Sequence, residues 1–223
     1  MVNRVSTGAG AGGTGLAQAR MYSRETSMAG SEKGLGYLNT VRRWERGPAR
    51  TIMQTPVFSI RQHEARSPRT GRTAPFLVLD TADWVNVIAR DGHGHVVMVE
   101  QYRHGTDSVT LEIPGGIVDP GEDAVTAALR ELAEESGYRP APGATITAIG
   151  CVEPNPAIQS NRCTTVLVDP VLPGQAAPDP LEDIVVHLVD EAALGPLVAR
   201  GVITHGLVVA ALTHLHLYES GAR

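Results

Sequence analysis

From Gly116 to Tyr138 the chain reads GIVDPGEDAVTAALRELAEESGY, and this stretch constrains the rest of the molecule more than any other. Val125, Leu129 and Leu132 recur at the spacing that lines one face of a helix, which predicts a helix over 123–136 with Gly137 as its C-terminal cap. Within it Glu131, Glu134 and Glu135 stand at i, i+3 and i+4, so three carboxylates project together. On a solvated helix such like-charge pairs repel by a few tenths of a kcal/mol each, roughly, and the arrangement needs compensation. A divalent cation supplies it, and all-oxygen donors are those preferred by Mg²⁺ or Mn²⁺, which bridge carboxylates to substrate phosphates. A bare acidic helix is more readily read as a solvated face; here the surroundings decide against it. Gly115-Gly116 sets an unencumbered backbone carbonyl beside the helix, Asp119-Pro120-Gly121 makes a tight turn, and Arg130 is a fixed cation able to orient a carboxylate.

The flanking chain supplies a scaffold. Short β-branched and aromatic runs at 57–61, 76–79, 84–89 and 96–100, parted by turns such as Asp91-Gly92-His93-Gly94, predict strands. Another strand over 110–113 stops at Pro114-Gly115-Gly116. Strands are expected again at 145–149, 164–168 and 184–189, and helices over 191–200 and 207–218. This order fits an α+β or three-layer sandwich rather than a regular βαβ alternation.

Residues 1–40 read differently. Gly8 to Gly15 is nearly all Gly, Ala and Thr, and the stretch after it is Ser, Gly and charge without a period, which predicts a disordered extension ahead of a domain over 41–223. Gly8, Gly10 and Gly13 have the spacing of a dinucleotide loop, but that loop needs a strand before it and a helix after it, and low complexity is the better reading. The apolar core of a secretory signal is missing; an organelle-targeting segment, with Arg4, Arg20 and Arg24 set against a first acid at Glu25, and a start at Met21 or Met28 stay open.

Composition narrows the partners. The 223 residues carry 19 Lys and Arg against 24 Asp and Glu, a net charge of −5 that offers no broad cationic surface to nucleic acid. Apolar runs such as 206–212 fall short of the roughly 20 residues that span a bilayer, so no membrane partner is expected. Cys151 and Cys163 are too few for a disulfide framework; they read as small core residues in a reducing, cytoplasmic setting.

Gly116, Glu122, Arg130, Glu131, Leu132, Glu134, Glu135 and Gly137, with Tyr138 in the last place, match the pattern G-x5-E-x7-R-E-U-x-E-E-x-G-U, where U is bulky and apolar. The chain therefore resembles the Nudix hydrolases over residues 57–218. The resemblance implies an α/β/α sandwich with a mixed sheet and Mg²⁺- or Mn²⁺-dependent attack of water on a nucleoside diphosphate linked to another group. It implies metal ligands at Glu131, Glu134, Glu135 and the carbonyl of Gly115, with Gly116, Glu122, Arg130 and Gly137 mainly structural.

The flanks resemble the ADP-ribose pyrophosphatase branch: Val96-Val97-Met98-Val99-Glu100-Gln101-Tyr102-Arg103, then Leu111-Glu112-Ile113-Pro114-Gly115-Gly116. That branch implies ADP-ribose as substrate, with AMP and ribose 5-phosphate as products; GDP-mannose, NADH or another nucleoside diphosphate sugar, and a non-catalytic nucleotide sensor, are the alternatives. It implies substrate contact by Arg103 and by Pro154, which holds the place of a proline beyond the motif. Several ADP-ribose hydrolases carry an acid in the following loop, where this chain offers Asn161. A later loop acid often orients the attacking water. Glu182 is selected, from its place before the 184–189 strand, over Asp179 and Asp183, so Glu131 and Glu182 form the expected catalytic pair. Phe58 and Trp84 are candidates for stacking the base, on N-terminal antiparallel strands that the branch commonly exchanges across a homodimer, and Trp44 is a candidate to cover the partner subunit. His205, His214 and His216 read as surface residues, since i, i+2 spacing sets the last two on different helix faces.

Overall fold

The computed structural model describes residues 41–177 and 181–222. The Gly8, Gly10 and Gly13 pattern, the extension over 1–40 and Asp179 lie outside the described residues. In chain order the elements are β1 (Glu45–Arg46), β2 (Arg50–Gln54), β3 (Ser59–Arg66), β4 (Thr73–Asp80), β5 (Trp84–Ala89), β6 (His95–Arg103), β7 (Ser108–Glu112) and β8 (Gly115–Ile117). Then come α1 (Ala124–Glu131), a π-helical turn (Leu132–Ser136), β9 (Arg139–Val152), β10 (Cys163–Leu172), β11 (Ile184–Asp190), α2 (Glu191–Ala199) and α3 (Gly206–Glu219).

Strands β1 to β4 make an antiparallel sheet in which β3 pairs with the other three. The second sheet has the order β8-β5-β10-β9, with β5 and β10 parallel and the remaining pairs antiparallel. The third, β11-β6-β7, is antiparallel.

Successive side chains of a strand point to opposite faces, and here both faces are covered. Val85, Val87 and Ala89 of β5, with Val166 and Val168 of β10, bury against Ala127, Ala128 and Leu132. Ile88, Leu167, Val96 and Met98 bury against Leu194, Ile203, Val208, Ala211 and Leu215. A helical layer therefore lies on each side of the central strands, giving the expected α/β/α sandwich with a mixed sheet. Each fully buried Leu, Ile or Val contributes about 1.5–3 kcal/mol.

The sequence does not predict β1, β2 or β8. The first is two charged residues, the second is exposed throughout, and the third is Gly-Gly-Ile, so none carries an apolar alternation. Strand β9 also begins earlier than expected: Arg139 and Pro140 pair with Leu172 and Val171 despite the prolines and glycine of that segment.

Cys163 is 1% exposed, and burial pushes its thiol up to about 12. It should resist iodoacetamide in the native protein at mildly alkaline pH and react only on unfolding. Stoichiometric native labelling of Cys163, read by peptide mass, would contradict this packing.

Candidate active site

Asp123 caps α1, its Oδ1 accepting the N–H groups of Val125 at 2.9 Å and Thr126 at 3.1 Å. Beyond Glu131 the helix widens into the π turn, and Gly137 ends it at φ 76°. The sequence predicts an unbroken α-helix to Ser136; a π turn is a departure that gathers at functional sites. Leu132, Glu135 and Ser136 are buried in it, and Glu135 retains only 3% exposure.

The Glu135 carboxylate accepts the Gly115 N–H at 2.9 Å. Burial first, then the charges of Glu131 and Glu182, push its carboxyl up to about 8. Burial also raises Glu131, against the opposing pull of Arg130, with Glu134 and Glu182 adding to the rise. Glu182 is itself exposed, and its charge is felt at Glu131, Glu135 and Arg103.

Arg130 is the counterweight. It donates to Glu131 at 2.8 Å, Glu134 at 3.1 Å, Glu122 at 3.0 and 3.2 Å, and the Ile117 carbonyl at 2.8 Å. Among the described residues no three His, Cys, Asp or Glu side chains stand as a ready coordination shell, because Glu131 and Glu134 meet on one Arg130 nitrogen while Glu135 is tied to Gly115. The donor chemistry nonetheless suits a hard cation: carboxylates crowded enough to raise one another's proton affinity.

The two glycines set the clearances. A methyl on Gly116 would lie 2.3 Å from Glu131 Oε1, and one on Gly115 would lie 2.4 Å from the Val85 carbonyl oxygen. On the far side of the π turn the Ala177 N–H donates to the Glu134 carbonyl at 2.9 Å, fastening the chain that follows β10 to the turn.

Beside this cluster opens a cavity of about 610 Å³, a size suited to a small-molecule ligand. Gly115, Gly116, Arg103 and Trp84 line it. Arg103 grips the nearly buried Glu112 with two bonds of 2.8 Å. Burial would raise the Glu112 carboxyl, but the Arg103 fork and the Thr110 hydroxyl outweigh it and hold the group below the usual range. Phe58 lines a different, shallow hollow of about 180 Å³ with Asp80 and Thr81, so the structure does not bring it to Trp84. Trp44 meets Phe76 edge-on, centroids 5.5 Å apart, within its own chain. Pro154 lies half-buried in the loop after β9, outside the residues lining this cavity. Asn161 is buried with both amide atoms unpartnered.

Sequence reasoning gave no role to Asn86, Glu112 and Thr204 and read His205 as a surface residue, and all four line the cavity. The surface reading of the three histidines holds for His216 alone. His205 sits at the cavity with its Nδ1 buried, and His214 packs over Gly150, where a methyl would lie 2.2 Å from the ring, with Nδ1 3.2 Å from Thr165 Oγ1. The signal that could have found His205 was its place one residue ahead of the final helix, where a side chain faces whatever the helix end faces.

Residues 81–207 match the NUDIX domain model. Over 85 residues the chain is 41% identical to an ADP-ribose pyrophosphatase of Saccharomyces cerevisiae, covering 37% of this chain and 36% of that protein. Over 110 residues it is 34% identical to an ADP-sugar pyrophosphatase of Mus musculus, covering 49% and 46%. The chain thus spans roughly a third to a half of the curated relatives it matches. A crystal structure described as an ADP compounds hydrolase shares the fold, with a TM-score of 0.72 at 20% identity over 82% of this chain and 97% of that one. With the motif helix, its two glycines and Arg130 assembled on an α/β/α sandwich, and the domain model matched across more than half its length, the chain belongs to the Nudix family.

Proposed function

We propose that this protein is a divalent-cation-dependent pyrophosphatase acting on nucleoside diphosphate derivatives, with ADP-ribose hydrolysed to AMP and ribose 5-phosphate. The observation that carries the reading is the mutually coupled carboxylate set Glu131, Glu135 and Glu182 behind Gly115 and Gly116, which line a ligand-sized cavity, with Glu135 pushed up to about 8 largely by burial. Such a cluster favours a cation and, through it, a polyanionic substrate. ADP-ribose is favoured among such substrates by the named ADP-ribose and ADP-sugar pyrophosphatases that the chain resembles.

In this reading Glu131, Glu134, Glu135 and the Gly115 carbonyl hold Mg²⁺ or Mn²⁺. The bound ion would neutralise pyrophosphate oxygens and acidify water. Glu182 orients the attacking water and takes its proton, a contribution typically of about 10²- to 10⁴-fold. Gly116 leaves room for the Glu131 carboxylate, and Arg130 limits which way it swings. Arg103, held flat by Glu112, presents its remaining donors to a phosphate or ribose; Trp84 offers the nucleotide a face, and Pro154 shapes the loop nearby. The two cysteines, each with its thiol raised by burial and neither in a disulfide, support a reducing, cytoplasmic setting. The exposed apolar residues of the first sheet, Ile52, Met53 and Leu77 among them, support a homodimer through that sheet.

The test is a panel of ADP-ribose, GDP-mannose, NADH and a nucleoside triphosphate, with Mg²⁺ and with chelator, read as phosphate freed from the products by an added phosphatase. Chelator-sensitive turnover fastest on ADP-ribose is expected. A faster rate on GDP-mannose or NADH replaces the substrate, and nucleotide binding with no turnover on any of them replaces the enzyme with a sensor.

A further inference from the structure

The net charge of −5 averages two unlike parts. Residues 41–80, which hold the sheet β1 to β4, carry eight arginines against Glu45, Glu64 and Asp80, whereas residues 81–223 carry seven arginines against nineteen acids. The first part is therefore +5 and the second −12. Six of the eight arginines gather at one end of the sheet. Glu45 pairs with Arg66 and Arg46 with Ala65 across β1 and β3, and Arg66 pairs with Thr73 across β3 and β4. The turn between β3 and β4 is closed by the Ser67 N–H on the Arg72 carbonyl and the Gly71 N–H on the Ser67 carbonyl, both at 2.8 Å. Arg69 and Arg72 thus stand beside Arg66, and Arg42 and Arg43 lead directly into β1.

All six are exposed. Among the described residues none of them forms an ion pair with a carboxylate, in contrast to Arg61 of the same sheet, which meets Asp80 at 2.7 Å. Like charges held this close repel one another, and a bound polyanion relieves them. Residues 1–40 do not supply it, since they add four basic side chains against two acids. Guanidinium groups offer paired N–H donors that match phosphate oxygens. Trp44 stands in the same run, between Arg43 and Arg46; it is 40% exposed and lies edge-on to Phe76, itself 40% exposed. An acidic protein surface makes little use of such rings. Single-stranded nucleic acid does, because its bases stack on aromatic faces while arginines hold its backbone; a duplex keeps its bases stacked on each other.

We propose that the arginine end of the first sheet is a binding patch for single-stranded nucleic acid, with phosphates held by the six arginines and a base stacked on Trp44. The whole-chain charge conceals this surface because the acids that outnumber the arginines lie in a different part of the chain. None of the patch residues lines the cavity beside Gly115 and Gly116, so binding there does not depend on turnover at the carboxylates.

The full chain is titrated by fluorescence anisotropy with labelled oligouridine and oligothymidine over a range of salt concentrations, and with duplex DNA, polyphosphate, and vesicles of phosphatidylserine and phosphatidylcholine for comparison. Both single strands should bind, with log K falling against log salt at a slope of about −3 to −4, as expected for four to six phosphate contacts at roughly 0.7 each. Replacing Arg43, Arg46, Arg69 and Arg72 together by Gln should weaken both at least about tenfold and flatten the slope by about 2 to 3. Trp44→Ala should weaken the oligonucleotides about fivefold or more and leave polyphosphate unchanged, and Trp44→Tyr, which keeps a ring against Phe76, should restore most of the loss. Tighter binding of oligouridine identifies RNA as the ligand, and of oligothymidine DNA. No oligonucleotide binding by the parent, or unchanged binding by the four-glutamine variant, overturns the patch. Tighter binding of duplex or of the vesicles than of single strands overturns its ligand, and an equal loss for polyphosphate in Trp44→Ala overturns the stacking. If the four glutamines separate a parent dimer in sedimentation while oligonucleotides bind as before, the surface serves a second copy of the chain instead.

Discussion

Glu135→Gln should lower turnover by on the order of 10²-fold or more, while metal-free protein carrying it melts higher than the parent above about pH 8. The rate loss follows from removing one anionic donor from the set proposed to hold the cation, whose charge stabilisation would be worth several kcal/mol at about 1.36 kcal/mol per decade of rate. The stability gain follows from burial. In the folded state the Glu135 carboxyl is pushed up to about 8 from an ordinary value near 4.5. Between those two pH values the folded protein holds a proton that the unfolded chain has released, so stability falls as pH rises and the penalty is complete above about 8. Its size is on the order of a few kcal/mol. Glutamine keeps an acceptor for the Gly115 N–H and has no charge to bury, so its pH dependence is flatter. Melting of chelator-stripped parent and variant from acid to alkaline pH gives the comparison. A parent whose melting temperature is level across that range, or a variant that retains full turnover, would remove Glu135 from the proposed role.

Gly115→Ala and Gly116→Ala should fail in opposite ways. The methyl added at Gly115 meets the Val85 carbonyl oxygen at 2.4 Å and Asn86 Cα at 2.9 Å, both backbone of the central strand β5. Neither can move without opening the β5–β8 pairing, and a cost of about 3 kcal/mol or more is expected, at the top of the range for overpacking. At Gly116 the obstacle is the Glu131 carboxylate, 2.3 Å away at Oε1 and 2.5 Å at Cδ. A side chain can rotate, so the fold should survive with a loss of about 1 kcal/mol, at the lower end of that range. Displacing Glu131 also breaks its 2.8 Å bond to Arg130, and turnover should drop at least about tenfold, as expected when a side chain of the proposed site is misplaced. Urea denaturation and turnover measured on the same two proteins decide it; Gly116→Ala that unfolds while Gly115→Ala stays stable would show that the clearances are misassigned.

The motif helix was legible because its determinants are local. Asp123 caps it, Gly137 ends it in a left-handed conformation, and the apolar stripe through Val125, Leu129 and Leu132 faces the core. Strand β5 was predicted at its observed bounds because both of its faces are buried, which makes it a nearly unbroken apolar run. Strands β1, β2 and β8 carry no such pattern and exist because β3 and β5 offer them hydrogen bonds. The π turn was equally hidden, since Glu134 and Glu135 have the same spacing in either helix and only packing around Leu132 and Ser136 distinguishes them.

What the sequence determined by itself is the carboxylate helix with its terminal Gly137 and the two glycines ahead of it, since spacing and backbone freedom are properties of neighbouring residues. What only the tertiary structure decided is the other wall of the cavity. Asn86 and Leu207 stand 121 residues apart and meet because β5 pairs in parallel with β10 and α3 packs across both, burying Val208, Ala211 and Leu215. The same packing leaves Phe58 on a separate hollow and carries His205 from a loop without any motif to the wall of the site. Burial against distant strands sets these positions, and a contact of that kind leaves no period in the chain.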